Sequence, residues 1–384
     1  MQFKDVVGQQ KLKEQLVKMV DSGRISHAQL FLGKLGHGSL PLAIAYAQYI
    51  SCKNRSVGDS CGECPSCVKI SKIAHPDLHF TYPFNTSKNI KSSNITSADF
   101  AVEWREMVLD NPYFEIADWE DKIELENKKG AINVKESQEI IRKLSFKPYE
   151  AEYKVLIIWM ADNMNVDASN KLLKLIEEPT EKTIILLLAE KEENLLQTIL
   201  SRTQIIRIPP IASEDLSEVL KVEGCDAEQA MKFAKVAEGD LIVAKGMVEQ
   251  ADEATLFFEM FKSWMRACYK ADIQAMHKWV EEAASKKLGR EGQKRFLSYA
   301  LEVMREGILI DYTANKLRRF YGKEADFINN FAPFVHSENI IALMELLNDA
   351  YYHINRNAFA KIVFMDMSMK FANLLRVKKR TFVG

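Results

Sequence analysis

The sequence has no apolar run long enough to cross a bilayer and no signal-peptide pattern at its start, so an integral membrane or exported protein is not expected. It has almost no surplus charge, with 52 Lys plus Arg against 53 Asp plus Glu and a formal net charge of −1. A protein that grips DNA unaided carries more positive charge, so any nucleic-acid contact is expected through a local patch or with help. Internal repeats and low-complexity tracts are missing, which excludes solenoids and disordered arrays. Cysteine is scarce, with six residues, and four of them fall between Cys52 and Cys67 while Cys225 and Cys268 stand alone. What remains, 47% hydrophobic and 27% charged, is ordinary for a globular protein of two or three domains, expected in the cytoplasm.

The first half alternates short apolar runs with helical patterns. Strands are predicted at Ala28 to Leu32, Leu78 to Tyr82, Val155 to Met160, Thr183 to Leu188 and Gln204 to Ile208. Helices are predicted at Gln10 to Val20, Leu40 to Ile50, Val134 to Phe146 and Val166 to Ile176. Strands separated by helices imply an α/β fold with a parallel, doubly wound sheet. The pattern lapses between 84 and 130, where a polar stretch and then an acidic one with Trp104 and Trp119 are read as an insertion on the sheet domain, expected to be partly helical and of unreadable role. Pro209-Pro210 closes the sheet domain. The expected division is 1–210 for the sheet domain, 211–250 for a small helical domain broken at Gly224 and Gly239, and 251–384 for an all-helical domain. Ser213 with Asp215 is expected to cap the first of these helices.

Gly33-Lys34-Leu35-Gly36-His37-Gly38-Ser39-Leu40 joins the first strand to a helix, which is the setting of a phosphate-binding loop. Gly33 and Gly38 have the right spacing. The lysine that should reach the terminal phosphates is Ser39, and the hydroxyl that should hold magnesium is Leu40. The glycine spacing alone also fits a plain tight turn. The third strand supplies a second test, because a working ATPase of this class places acidic residues at its end. Here it ends in Trp159-Met160, and the following Asp162 is read as a cap near a helix starting around Asn165.

Cys52, Cys61, Cys64 and Cys67 have the spacing Cys-x8-Cys-x2-Cys-x2-Cys, with Gly58 and Gly62 providing turns. Four thiolates so placed can close a tetrahedron around a structural zinc ion. A disulfide is out of keeping with the cytoplasm, and iron–sulfur clusters use other spacings. Nearby Lys53, Arg55, Lys69 and Lys72 are scattered as on a solvated face, and His75 is read as a turn residue before Pro76.

Several segments are specific in combination: Phe3-Lys4-Asp5-Val6-Val7-Gly8-Gln9, Ser26-His27-Ala28-Gln29-Leu30-Phe31, Asn170-Lys171-Leu172-Leu173-Lys174-Leu175-Ile176-Glu177-Glu178-Pro179, and Leu195-Leu196-Gln197-Thr198-Ile199-Leu200-Ser201-Arg202-Thr203. Together with the cysteine insertion they resemble the AAA+ clamp-loader family of bacterial DNA polymerase III, over roughly Met1 to Val248. The helical remainder matches in type, apart from His353-Ile354-Asn355-Arg356-Asn357-Ala358, which is similar to part of the family's collar domain. The resemblance implies an AAA+ P-loop fold with a five-stranded sheet, a helical lid and a C-terminal helical collar. It also implies a pentameric ring with tau/gamma and delta subunits that places a sliding clamp on primer-template DNA, with no membrane role. The degenerate loop fits the family's subtype that does not hydrolyse ATP in its own site, a non-enzymatic accessory subunit. Ile242 stands where motor subunits carry a phosphate-sensing arginine. Ser201-Arg202-Thr203 matches the motif Ser-Arg-Cys, whose arginine acts in trans on the neighbour's ATP; from the residues alone, capping of the helix ending near Leu200 is the favoured reading of Arg202. The competing readings are an active AAA+ ATPase of DNA repair or helicase loading, and a zinc-dependent nucleic-acid-binding module.

Overall fold

The computed structural model describes residues 1–87, 90, 94–125, 128–312 and 322–377. The expected insertion at 84–130 and helical domain at 251–384 lie partly outside them. The chain divides into two compact units, Met1–Val248 and Glu249–Gly384.

The first unit is built on β1 (Ala28–Leu32), β2 (Leu78–Thr81), β3 (Lys154–Ile158), β4 (Thr183–Ala189) and β5 (Gln204–Arg207). All pairings are parallel, in the order β2-β3-β4-β1-β5. Leu30 lies opposite Leu187 on one side and Ile205 on the other, while Leu186 faces Ile157. Strands β1, β3 and β4 are buried throughout, as continuous apolar runs require in a sheet covered on both faces. Strand pleating sends Phe31, Ile157, Leu186 and Leu188 into one core and Leu30, Leu32, Leu156 and Leu187 into the other.

Helices α1 (Gln10–Asp21) and α2 (Ser39–Ser51) cover the first face. Every residue of α2 is buried, which its Ala- and Leu-rich sequence permits; Pro41 lies in its first turn, where the backbone N–H has no helical partner to lose. Helix α3 (Pro65–Ser71) carries Cys67, the fourth cysteine of the cluster. Helices α4 (Ala101–Asp110) and α5 (Ile116–Lys122) belong to the insertion. Helices α6 (Val134–Ser145), α7 (Val166–Glu177) and α8 (Gln197–Leu200) cover the second face. Asn165 caps α7 by accepting the Ala168 N–H at 2.8 Å. Asp162 does not cap that helix: it accepts the Glu190 and Lys191 N–H groups at 3.3 and 3.2 Å, tying the end of β3 to the end of β4.

The insertion is part of the first core. Trp104 stacks on Tyr82 with centroids 4.2 Å apart and meets Trp119 edge-on at 5.3 Å. The fully buried Glu136 carboxylate accepts from the Thr81 hydroxyl, the Ser97 N–H and the Ser97 hydroxyl, fastening the segment to β2 and α6.

Helices α9 (Ser213–Val222) and α10 (Ala227–Val236) form a small pair after the sheet. Gly224 (φ +99) and Gly239 (φ +85) break it as expected, but Ala212 occupies the cap position of α9, with no side-chain hydrogen bond from Ser213 or Asp215. Helix α11 (Leu241–Lys270) runs through 250, where a boundary was expected. The second unit continues with α12 (Ile273–Ala283), α13 (Gly289–Tyr312), α14 (Gly322–Phe331), α15 (Ile340–Asn355) and α16 (Ala360–Leu374). Its core centres on Trp264, stacked on Trp279 at 5.0 Å and donating to the Ser368 hydroxyl at 2.9 Å. No described helix is long and apolar enough to cross a membrane.

Candidate functional site

The loop between β1 and α2 keeps the outline of a phosphate cradle, but its donors are turned to the chain itself. Leu35–His37 winds into a short 3₁₀ turn. The Gly33 N–H donates to Ala189 O, His37 N–H to Lys34 O and Gly38 N–H to Leu35 O, each at 3.0 Å. The Leu35 N–H is taken by the Glu190 carboxylate at 2.9 Å. The Asp240 carboxylate packs so tightly on Gly36 that a β-carbon there would lie 1.7 Å from Oδ1, while the same oxygen accepts the Ile242 and Val243 N–H groups. Two carboxylates therefore crowd the loop where a phosphate would need positive charge. Lys34 is exposed, and burial lowers the pKa of His37 further than its contact with the Ile208 carbonyl raises it, so its ring is no cation near neutral pH.

Ser39 and Leu40 are buried in the first turn of α2. Leu40, Trp159 and Met160 share one buried cluster, and Ile242 packs against it. Strand β3 ends at Ile158, so Trp159 and Met160 form the turn beyond it rather than its last residues. Met160 adopts φ +55 there. Burial raises the Asp162 pKa, outweighing the N–H groups it accepts from Lys191 and Glu190. Leu40, Trp159, Met160 and Ile242 thus meet around an apolar interior, while Gly33 lies against Ile208, Gly36 against the Asp240 carboxylate and Gly38, next to the buried Ser39, against Tyr113. Sequence patterns missed the Glu190 contact with Leu35 and the approach of Asp240 to Gly36, because both join segments far apart in the chain.

Arg202 lies elsewhere, just after α8. Its guanidinium is 3.3 Å from the Glu177 carboxylate and donates to Thr198 O and the Ser201 hydroxyl, both at 3.2 Å. The Thr203 hydroxyl donates to Ile199 O at 3.0 Å. The Ser201 hydroxyl bonds Thr198 O at 3.2 Å, so the triplet is braced on the end of α8 with its arginine side chain 35% exposed.

The sulfurs of Cys52, Cys61, Cys64 and Cys67 all lie within 4.8 Å of one another. Cys52 and Cys61 are 3.5 Å apart, and Cys61 and Cys67 3.9 Å, close to the roughly 3.8 Å edge of a tetrahedron with metal–sulfur bonds of about 2.3 Å. The residues therefore fit a four-thiolate metal ion. The Cys61 N–H donates to the Cys52 sulfur and the Cys64 N–H to the Cys61 sulfur, each at 3.3 Å, which favours thiolates. Against the upward push of burial, contacts with the Cys67 and Lys53 backbone hold the Cys64 thiol down at about 6. His75 stands outside the four-sulfur cluster and opens the turn at Pro76, its carbonyl accepting the Leu78 N–H at 3.2 Å, and it is buried, with Nε2 3.2 Å from Glu150. Arg55 donates to the Tyr49 and Ile50 carbonyls at the end of α2, and Lys69 pairs with Glu150 at 2.5 Å.

A parallel sheet in this strand order, with a glycine loop leading from β1 into a buried helix and a small helical pair beyond, defines an AAA+ P-loop fold. The family model for DNA polymerase III, delta subunit, matches residues 8–212, more than half of the chain, and the protein belongs to that family. It is 28% identical to the Bacillus subtilis DNA polymerase III subunit delta' over 228 residues, 59% of this chain and 56% of that one. It is 26% identical to the tau subunit of the same organism over 255 residues, 65% of this chain and 37% of that one. The chain thus spans about half the length of the first relative and about a third of the second. A Thermotoga maritima DNA polymerase III gamma subunit-related structure aligns at a TM-score of 0.34 and 12% identity, over 95% of this chain and 99% of that one.

Proposed function

We propose that the protein is an ATP-inert subunit of the bacterial DNA polymerase III clamp-loader complex, of the delta-prime type. It acts as a scaffold in a pentameric ring with tau/gamma and delta subunits, in the cytoplasm, and takes part in placing the sliding clamp on primer-template DNA. One observation carries the reading: the phosphate loop lacks lysine and hydroxyl at Ser39 and Leu40, and its Leu35 N–H is spent on the Glu190 carboxylate. The parts after the sheet then serve as lid (211–250) and collar (251–384).

Arg202 serves the neighbouring subunit's ATP, with Ser201 and Thr203 bracing it. Its planar, permanently charged guanidinium can meet phosphate oxygens with two parallel hydrogen bonds. The exposed position after α8 supports this, since a buried arginine could not reach another subunit. The four cysteines hold a structural zinc, which folds the 52–67 module and takes no part in chemistry.

The test is ATP turnover by the isolated chain, with and without primed DNA. No hydrolysis above background is expected. Clear turnover would sink the proposal in favour of an active AAA+ ATPase of repair or helicase loading.

A further inference from the structure

The 84–130 insertion reaches the phosphate loop through its stretch Asn111–Phe114. The Asn111 side chain sets a tight turn by donating to the Tyr113 carbonyl at 2.9 Å and accepting its N–H at 3.1 Å. The Tyr113 ring is thereby laid against Gly38, where a β-carbon would meet it at 3.1 Å. Gly38 has φ +89, so glycine is required there both for the turn and for the ring's approach. The Tyr113 hydroxyl accepts the Val7 N–H at 3.0 Å. The ring is 7% exposed and shares one apolar cluster with Ile211, Leu216, Ala234 and Leu241, flanked by Val7 and Ile242.

One side chain therefore touches the N-terminal segment, the start of α2 and the packing surface of α9 and α10. A phosphate-bearing ligand would join the same parts: phosphate settles at a helix N-terminus beyond a glycine loop, in the crevice at the carboxyl ends of the strands. We propose that Tyr113 is a built-in stand-in for a nucleotide, filling that crevice and fastening α9 and α10 to the sheet without any ligand. Two arrangements support it independently of the ring. The loop's N–H groups at Gly33, Leu35, His37 and Gly38 are satisfied within the chain. The insertion is held rigidly at its root, where Glu136 grips Ser97, the Tyr82 hydroxyl donates to Ser97 O at 2.7 Å and the Trp119 indole donates to Pro83 O at 2.7 Å. A ligand orders such elements in proportion to its concentration and differential affinity. A tethered ring orders them at all times, so the position of α9 and α10 becomes independent of ATP.

The proposal goes beyond ATP inertness, because a chain without turnover could keep an open crevice and loosely held helices. The test is hydrogen–deuterium exchange of the full-length chain without nucleotide. In Tyr113→Ala, amides of 213–236 are expected to exchange about tenfold faster or more, while those of 273–312 and 340–374 stay as in the unchanged protein. Tyr113→Phe keeps the ring, so it should keep 213–236 protected and release only the Val7 amide. Unchanged exchange of 213–236 in Tyr113→Ala overturns the proposal, as does equal loss in the Phe and Ala variants. If the alanine variant fails to fold, Tyr113→Leu gives the same reading, with unchanged 213–236 again the overturning result. ATP turnover is measured on the same samples: turnover by the unchanged chain would remove ATP inertness and leave the exchange result to stand or fall by itself.

Discussion

Arg202 is held in cis by contacts that are easily given up. Its partner Glu177 is 54% exposed, and ion pairs in such positions are worth under about 1 kcal/mol. A phosphate from a neighbouring subunit can therefore draw the guanidinium away at little cost. Trans arginines contribute on the order of 10³–10⁵ in rate, so Arg202→Ala is expected to leave the ring assembled and to cut turnover at the adjacent site by about 10³-fold or more. DNA-stimulated ATPase of the assembled complex checks this, and unchanged turnover would refute the role. Arg202→Lys keeps the charge but not the fork, and should recover only a small part of the rate. A second residue-scale expectation concerns His79 on β2. Burial first, and then the nearby Lys143, lower its pKa from 6.5 to about 4. In the unfolded chain the ring returns to its ordinary value, so on acidification the unfolded state takes up the proton first. Stability is thus fully present above pH 6.5 and is lost as the pH falls towards about 4. Between about pH 7 and pH 5 the loss from this ring is roughly 1–2 kcal/mol, with His37 and His75, both lowered chiefly by burial, adding in the same sense. Urea midpoints at the two pH values should draw closer together in His79→Gln.

Among the elements, the cysteine module is joined to the sheet domain by more than its chain ends. The Asp59 carboxylate accepts the Phe3 and Lys4 N–H groups at 3.0 Å, and Gln48 donates to the Ser60 hydroxyl at 2.9 Å. Metal analysis is expected to give one zinc per chain, and iron in its place would overturn the assignment. Stripping the metal, or Cys67→Ser, should speed exchange across 52–71 and also at the Phe3 and Lys4 amides, because Asp59 loses its fixed position. Elements of this kind were legible in the sequence to differing degrees. Each strand lies within about two residues of its expected place, because apolar runs between glycine, proline and polar segments have few other ways to be buried. The missing lysine and hydroxyl at Ser39 and Leu40 were legible because phosphate and magnesium demand fixed residue types at fixed spacing. Capping was less legible: Asn165 rather than Asp162 caps α7, and Ala212 rather than a polar residue precedes α9, since competing partners for a side chain appear only on folding. The insertion was legible as a partly helical break in the pattern, and α4 and α5 fall within it, but its packing was not legible. Nothing near Tyr113 in sequence announces Gly38 or Leu216 as its neighbours, and its aromatic content fits many cores.

For the molecule as a whole, charge decides how it meets DNA. The 52 cationic side chains are balanced by 53 anionic ones. Two of the four cations near the cysteine module are already engaged, Arg55 by the end of α2 and Lys69 by Glu150. Affinity for a polyanion grows with the number of phosphates neutralised, each released counterion adding about 0.9 to the salt slope on duplex DNA. A chain with no net positive charge is expected to neutralise few phosphates by itself. The isolated protein is therefore expected to bind primer-template DNA weakly, with a shallow dependence on salt, while the assembled ring binds tightly through the summed charge of its subunits. Titrating labelled primed DNA with each, at two or more salt concentrations, separates the readings. Tight binding by the lone chain, with a steep salt slope, would identify a nucleic-acid-binding module and shift attention to the surface of the 52–67 segment. Weak binding alone and strong binding in the complex would place the DNA-contacting work in the assembly, as the proposed role of a subunit that contributes position rather than turnover requires.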